Sequence, residues 1–89
     1  MATDHEKDAE LLKALGHPVR LQIVSGLLCH ECNVNKMVKG LGLPQSTVSQ
    51  HLGILKNRGI VQVRKEGVKT CYKVSDPRVA GLLKILRSK

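Results

Sequence analysis

The stretch KGLGLPQSTVSQHLGILKN, Lys39 to Asn57, decides the fold. Gly40 and Gly42 separate a short apolar run, Val34, Met37, Val38 and Leu41, from a longer one. In the longer run Val48, Leu52 and Leu55 recur at i, i+4 and i+7, which places them on one face of a helix. The spacing predicts a short helix over residues 34–40, a glycine corner, and a helix from Pro44 to about Asn57, closed by Arg58-Gly59. Such a pair around a tight turn is the helix-turn-helix arrangement, whose second helix enters the major groove of duplex DNA. The face left over carries Gln45, Ser46, Thr47, Ser49, Gln50 and His51. Glutamine can bond adenine through two atoms, and serine or threonine can serve a base edge or a phosphate. A polar helix face is ordinarily only solvated. The glycine turn, the choice of Ser, Thr and Gln over Glu and Lys, and a basic segment directly downstream set this one apart. His51 also reads as a partly buried packing residue.

Downstream, the period changes to two. Val61 and Val63, then Tyr72 and Val74, alternate with Gln62, Arg64, Cys71 and Lys73. Two short strands, about 60–65 and 69–75, flank Glu66-Gly67 and predict a hairpin whose tip carries Arg64, Lys65 and Lys69. That tip suits a phosphate strand or the minor groove. Asp76-Pro77 opens a last helix with Val79, Leu82, Leu83 and Leu86 on one face. Upstream, residues 4–15 form a helix with apolar Ala9, Leu11, Leu12 and Leu15 and acids crowding its first turn. Gly16 ends it, and His17-Pro18 opens a second helix faced by Val19, Ile23, Val24, Leu27 and Leu28. The order is α-α-α-α-β-β-α: one domain over residues 1–89, mainly α with a small β-hairpin.

The 89 residues carry a net charge of +8, unevenly placed. Asp4, Glu6, Asp8 and Glu10 face one lysine in the first ten residues, whereas Lys36 to Lys73 holds eight basic residues and only Glu66 as an acid. A basic face favours a polyanion through phosphate contacts and counterion release. Tyr72 is the only aromatic apart from histidine, which leaves the core to Leu, Ile and Val and argues against a binder that stacks single-stranded bases. The acidic, polar start does not read as a secretory signal, and no apolar run approaches the ~20 residues that span a bilayer. A cytoplasmic protein with reduced cysteines is expected.

Three segments carry a resemblance: LKALGHPVRLQIVSGLL, LPQSTVSQHLGILKNRGIV and RKEGVKTCYKV. Together they resemble the ArsR/SmtB metalloregulator family of bacterial repressors, over roughly residues 9–86. The second and third look like that family's recognition helix and wing. The resemblance implies a winged helix-turn-helix homodimer built from the first and last helices. It also implies operator DNA as the partner in the effector-free state, and release when an effector binds. The apolar faces of helices 4–15 and 77–87 agree, since neither has an obvious partner inside so small a fold.

Cys29-His30-Glu31-Cys32 is a CxxC at the end of the second helix, and Cys71 stands alone on the second strand. Two chemistries are open. Cys29 and Cys32, with a third ligand from Cys71, His30 or His5, suit a thiophilic metal or metalloid ion acting as effector. The same pair suits a redox or reactive-sulfur switch that closes a disulfide. No resident cofactor is required. Cys29 as a small buried hydrophobe, with Cys32 incidental, is the bland alternative. The chain departs from the family's familiar metal sites: asparagine stands at 33 and 35, where many members carry a CxC, and residues 76–89 offer only Asp76 and no histidine. If Tyr72 and Val74 face the core, alternation exposes Cys71. No nucleophile–base pair, phosphate-cradling loop or paired carboxylates are evident, so an enzyme is not expected. The competing class is a winged-helix protein–protein interaction module that does not touch DNA.

Overall fold

The computed structural model describes residues 3–29 and 34–88, without the side chains of Val34, Glu66 and Lys69. Its elements follow the predicted order. Helix α1 (Asp4–Leu15) opens on a reciprocal cap: the Glu6 amide donates to the Thr3 hydroxyl at 3.1 Å, and the Thr3 amide donates to the Glu6 carboxylate at 3.2 Å. After Gly16, His17 begins α2 (Pro18–Cys29) by accepting the Val19 amide on Nδ1 at 3.1 Å. Helix α3 (Val34–Leu41) runs one residue past the expected end, and Gly42, at φ +67°, makes the corner. Pro44 is the N-cap of α4 (Gln45–Asn57) rather than its first helical residue, because its ψ of 145° is extended.

Helix α4 ends by bonding geometry that glycine permits. Gly59, at φ +74°, donates to the Lys56 carbonyl, and the buried Ile60 donates to that of Leu55. This is the Schellman closure, which turns the chain straight into β1 (Val61–Glu66). Strand β1 pairs antiparallel with β2 (Lys69–Val74), with Val63 opposite Tyr72, Arg64 opposite Cys71 and Lys65 opposite Thr70. Gly67 and Val68 form the two-residue turn, with positive φ only at Gly67. Asp76 then caps α5 (Pro77–Arg87) by accepting the Arg78 amide at 2.9 Å. Arg78 also donates to the Asp76 carboxylate at 2.8 Å and so holds that carboxyl below its ordinary pKa.

The core is aliphatic throughout the described residues, with no buried polar or charged residue among them. It gathers Leu11, Ala14 and Leu15 of α1, Ile23, Val24 and Leu27 of α2, and Met37 of α3. Val48, Leu52 and Leu55 of α4, Ile60 and Val61, and Val79 and Leu83 of α5 complete it. Tyr72 and Val74 pack against this core half-buried, as alternation predicts.

The terminal helices differ from expectation. Both have partners inside the fold, since α1 buries Leu11 and Leu15 and α5 buries Val79 and Leu83. Each has two apolar faces, and the outer one stays open: Leu12 is 55% exposed, Ile85 71% and Leu86 68%. A continuous apolar groove of about 260 Å³ runs past Leu12, Leu15, Leu21, Leu82 and Leu86.

Two glycines of this region should respond in opposite directions. Gly42→Ala forces a side chain into the left-handed region and should lower stability by about 1–2 kcal/mol. Gly53→Ala, inside α4 with nothing within 4 Å of the added carbon, should raise it by up to about 1 kcal/mol. Urea unfolding at fixed protein concentration reads both. Equal effects would mean that the corner does not require its positive φ.

Candidate nucleic-acid interface

Burial of Val48, Leu52 and Leu55 fixes the rotation of α4 and turns its other side outward. Gln45, Ser46, Ser49 and Gln50 are exposed, and Thr47 is half-buried at the margin. No side chain caps the helix start and no acid lies in its first turn, so the positive end of its dipole is open. Arg64 and Lys65 are exposed on β1. The side chain of Lys69 lies outside the described residues. Between α4 and the hairpin runs a cleft of about 380 Å³, lined by Ser49, Lys56, Lys65, Thr70 and Tyr72.

The sequence reading did not single out Lys56, Thr70 or Tyr72 for this surface. Lys56 was accessible to it, because seven residues after Ser49 is the same face of the helix. Thr70 and Tyr72 enter only through the way the hairpin leans on α4.

His51 stands apart from the other polar residues of the helix. It is half-buried, and its ring lies against that of His17 at 4.6 Å between centroids, tilted by 45°. Its Nδ1 is buried without a hydrogen-bond partner, as is Nε of Arg20. Burial, with help from His17 and Arg20, holds the His51 pKa below the usual 6.5.

The acids of α1 are spent locally. Glu10 pairs with Arg58, and Asp8 lies 3.5 Å from Arg78. Cys29 is exposed at the end of α2, and Cys71 is half-buried rather than open. Strand β2 packs against both α2 and α5, so alternation alone does not expose it. Cys32 and His30 lie outside the described residues. Among the described residues no three of His, Cys, Asp and Glu come together, so Cys29, Cys71 and His5 do not form a ligand set by themselves. No described helix is long and apolar enough to cross a membrane.

The sequence profile of the bacterial regulatory proteins of the arsR family matches residues 17–63, more than half the chain. The chain belongs to this family. It is 48% identical over 83 residues to the transcriptional repressor PagR of Bacillus anthracis, covering 91% of this chain and 82% of that protein. Among solved structures, HlyU from Vibrio cholerae superposes with a TM-score of 0.89 at 37% identity, covering 97% of this chain and 94% of that one. Its reduced form matches at 0.85 and 39% identity over 90% and 84%. The homodimeric winged helix-turn-helix DNA-binding domain of Mb0332 from Mycobacterium bovis matches at 0.84 and 29% identity, covering 98% and 85%. The chain is thus an ArsR-family transcriptional regulator with a winged helix-turn-helix fold.

The histidine contact has a consequence for stability. A pKa lowered by folding means that the unfolded chain takes up the proton first. Stability should be full above the usual 6.5 and decline as pH falls from there to the lowered value, levelling off below it. Asp76 acts in a separate window, because its contribution is lost only below the usual 3.8. Urea midpoints from pH 8 down to pH 5 should therefore fall in the wild type and stay flatter in His51→Gln. A wild-type midpoint that does not change over this range would contradict the burial of His51.

Proposed function

We propose that this regulator is a homodimeric repressor that binds operator duplex DNA, with α4 in the major groove and the hairpin along the phosphate backbone. The observation that carries it is the division of α4 into a buried aliphatic stripe and an open face of Gln45, Ser46, Ser49 and Gln50. Those side chains read base edges, with Thr47 and His51 at the margin. Arg64, Lys65 and Lys69 serve the backbone, and Lys56 faces the same cleft. The apolar groove beside Leu12, Ile85 and Leu86 receives the same groove of a second copy. Support for the pairing comes from Mb0332, whose domain is described as homodimeric. Support for repression comes from PagR, described as a repressor, whereas HlyU is described as an activator.

The response to an effector is assigned to the cysteines. A thiophilic metal or metalloid needs Cys29 and Cys32 joined by a further ligand. Oxidation needs only two sulfurs. Cys29 is exposed, and Cys32 stands three residues on. This favours a thiol–disulfide response: two thiols lose two electrons and two protons to an oxidant such as a peroxide or polysulfide, and one S–S bond forms. The effector then acts by linkage, through its different affinity or stability in the DNA-bound and free forms.

Binding to random and selected duplexes, followed by fluorescence anisotropy, should weaken steeply with salt. Gln45→Ala or Ser49→Ala should lose about 1–3 kcal/mol at particular base pairs only. Lys56→Ala or Lys65→Ala should weaken every sequence alike and reduce the salt slope by about one. A flat salt response would instead support the protein-interaction module.

The sensor is tested apart from this. Affinity of the wild type for its selected duplex should drop by roughly 5-fold or more on peroxide or polysulfide treatment and recover with thiol reductant. Cys29→Ser and Cys32→Ser should not respond. Release by zinc or arsenite, with no effect of oxidant, would move the assignment to metal binding.

A further inference from the structure

The contact between His17 and His51 joins two elements that the chain separates widely. His17 lies at the start of α2, where its Nδ1 accepts the Val19 amide at 3.1 Å. His51 lies in the middle of α4, its ring 4.6 Å from that of His17 and its Nδ1 buried without a partner. On α4 it borders the buried stripe of Val48, Leu52 and Leu55, and it directly follows the exposed Ser49 and Gln50. The buried stripe sets the rotation of α4, and a displacement of the His51 ring beside it would be felt on the reading face.

The charges around the pair are unfavourable to a proton. Arg20 of α2 faces His51 and its Nε is also buried without a partner. From α1, Glu10 and Lys13 line a cleft with Arg20 and Arg58, but Glu10 is held by Arg58. Helix α3 brings only Lys36 and Lys39, both exposed. The hairpin meets α4 along Ser49, Gly53 and Lys56, and Ser49 and Gly53 lie about 160° around the helix from His51, so its bases face elsewhere. No described carboxylate contacts either ring to stabilise an imidazolium.

We propose that His17 is a positioning residue for α4, and that the His17–His51 contact is a proton-sensitive latch which seats the reading helix when neutral and unseats it when protonated. Protonation acts twice. A proton on His17 Nδ1 removes the acceptor of the Val19 amide and uncaps α2. A proton on His51 sets its charge against that of Arg20. The inference rests on the DNA-binding reading and makes a prediction opposite to simple electrostatics. Added positive charge on its own strengthens attraction to every duplex. An unseated α4 instead loses discrimination between sequences.

The test uses a duplex selected from a random-sequence library near pH 7.5, and a scrambled duplex of equal composition. The ratio of their affinities should fall roughly 5-fold or more between about pH 7.5 and pH 5.8 at constant ionic strength. His17→Asn keeps a side-chain oxygen to cap α2 but does not titrate. In that variant the fall should shrink, and the His51 imidazole signal in proton NMR should titrate at a higher pH than in the wild type. The amide signals of residues 45–50 in the free wild type should shift with the same midpoint as His51. A ratio independent of pH, or an undiminished fall in His17→Asn, overturns the latch and leaves DNA binding standing. If no duplex is selected at all, the DNA-binding reading fails. The NMR titration then judges the latch alone: amides of 45–50 that ignore the His51 midpoint overturn it, and amides that follow it sustain it.

Discussion

The fold depends on one aliphatic contact: Val48, Leu52 and Leu55 of α4 buried beneath α2 and the first strand. All three are at most 2% exposed, and each is worth about 1.5–3 kcal/mol of burial. No other face of α4 can compete, because its remaining side chains are polar, apart from the half-open Ile54 and the half-buried His51 at the edge of the stripe. The rotation of the helix is therefore set by what it buries, and the polar face is outward as a result. Gly42 at one end and the Gly59 closure at the other fix its length and direction. The hairpin follows at once, because Ile60 is both the last residue of that closure and a core side chain.

Charge is distributed by the same economy. The acids of α1 meet Arg58 and Arg78, at the end of α4 and the start of α5. Exposed ion pairs of this kind add little stability. Their effect is positional: they neutralise two arginines near α1, while Lys56 of α4 and Arg64, Lys65, Lys69 and Lys73 of the hairpin add positive charge on the other side. The open polar face of α4 and the net charge of +8 both suit the polyanionic partner proposed above.

Nearly all of the secondary structure was legible in the sequence, because the apolar period shifts from 3.6 to 2 and back at residues that break helices. Gly42, Gly59 and Asp76-Pro77 each act as the sequence suggests. What was not legible depends on contacts between distant residues. The two-sided character of α1 and α5 could not be read, since Leu11 and Leu12 look alike until one of them is buried in the core. Cys71 is half-buried because α2 and α5 flank its strand, which alternation does not report. The cleft between α4 and the hairpin, and the contact of His17 with His51, join residues that no local pattern relates. The polar residues of α4 were legible as a set, and so was His51 as a partly buried packing residue, but its partner His17 was not.

The central claim, that the open face of α4 occupies the major groove, is tested most directly by methylation protection on a selected duplex. Dimethyl sulfate attacks guanine N7 in the major groove and adenine N3 in the minor groove. A pair of reading helices predicts two patches of protected guanine N7, about 10 base pairs apart on one side of the duplex. Protection confined to adenine N3, or bound duplex with no protected guanine N7, would contradict it.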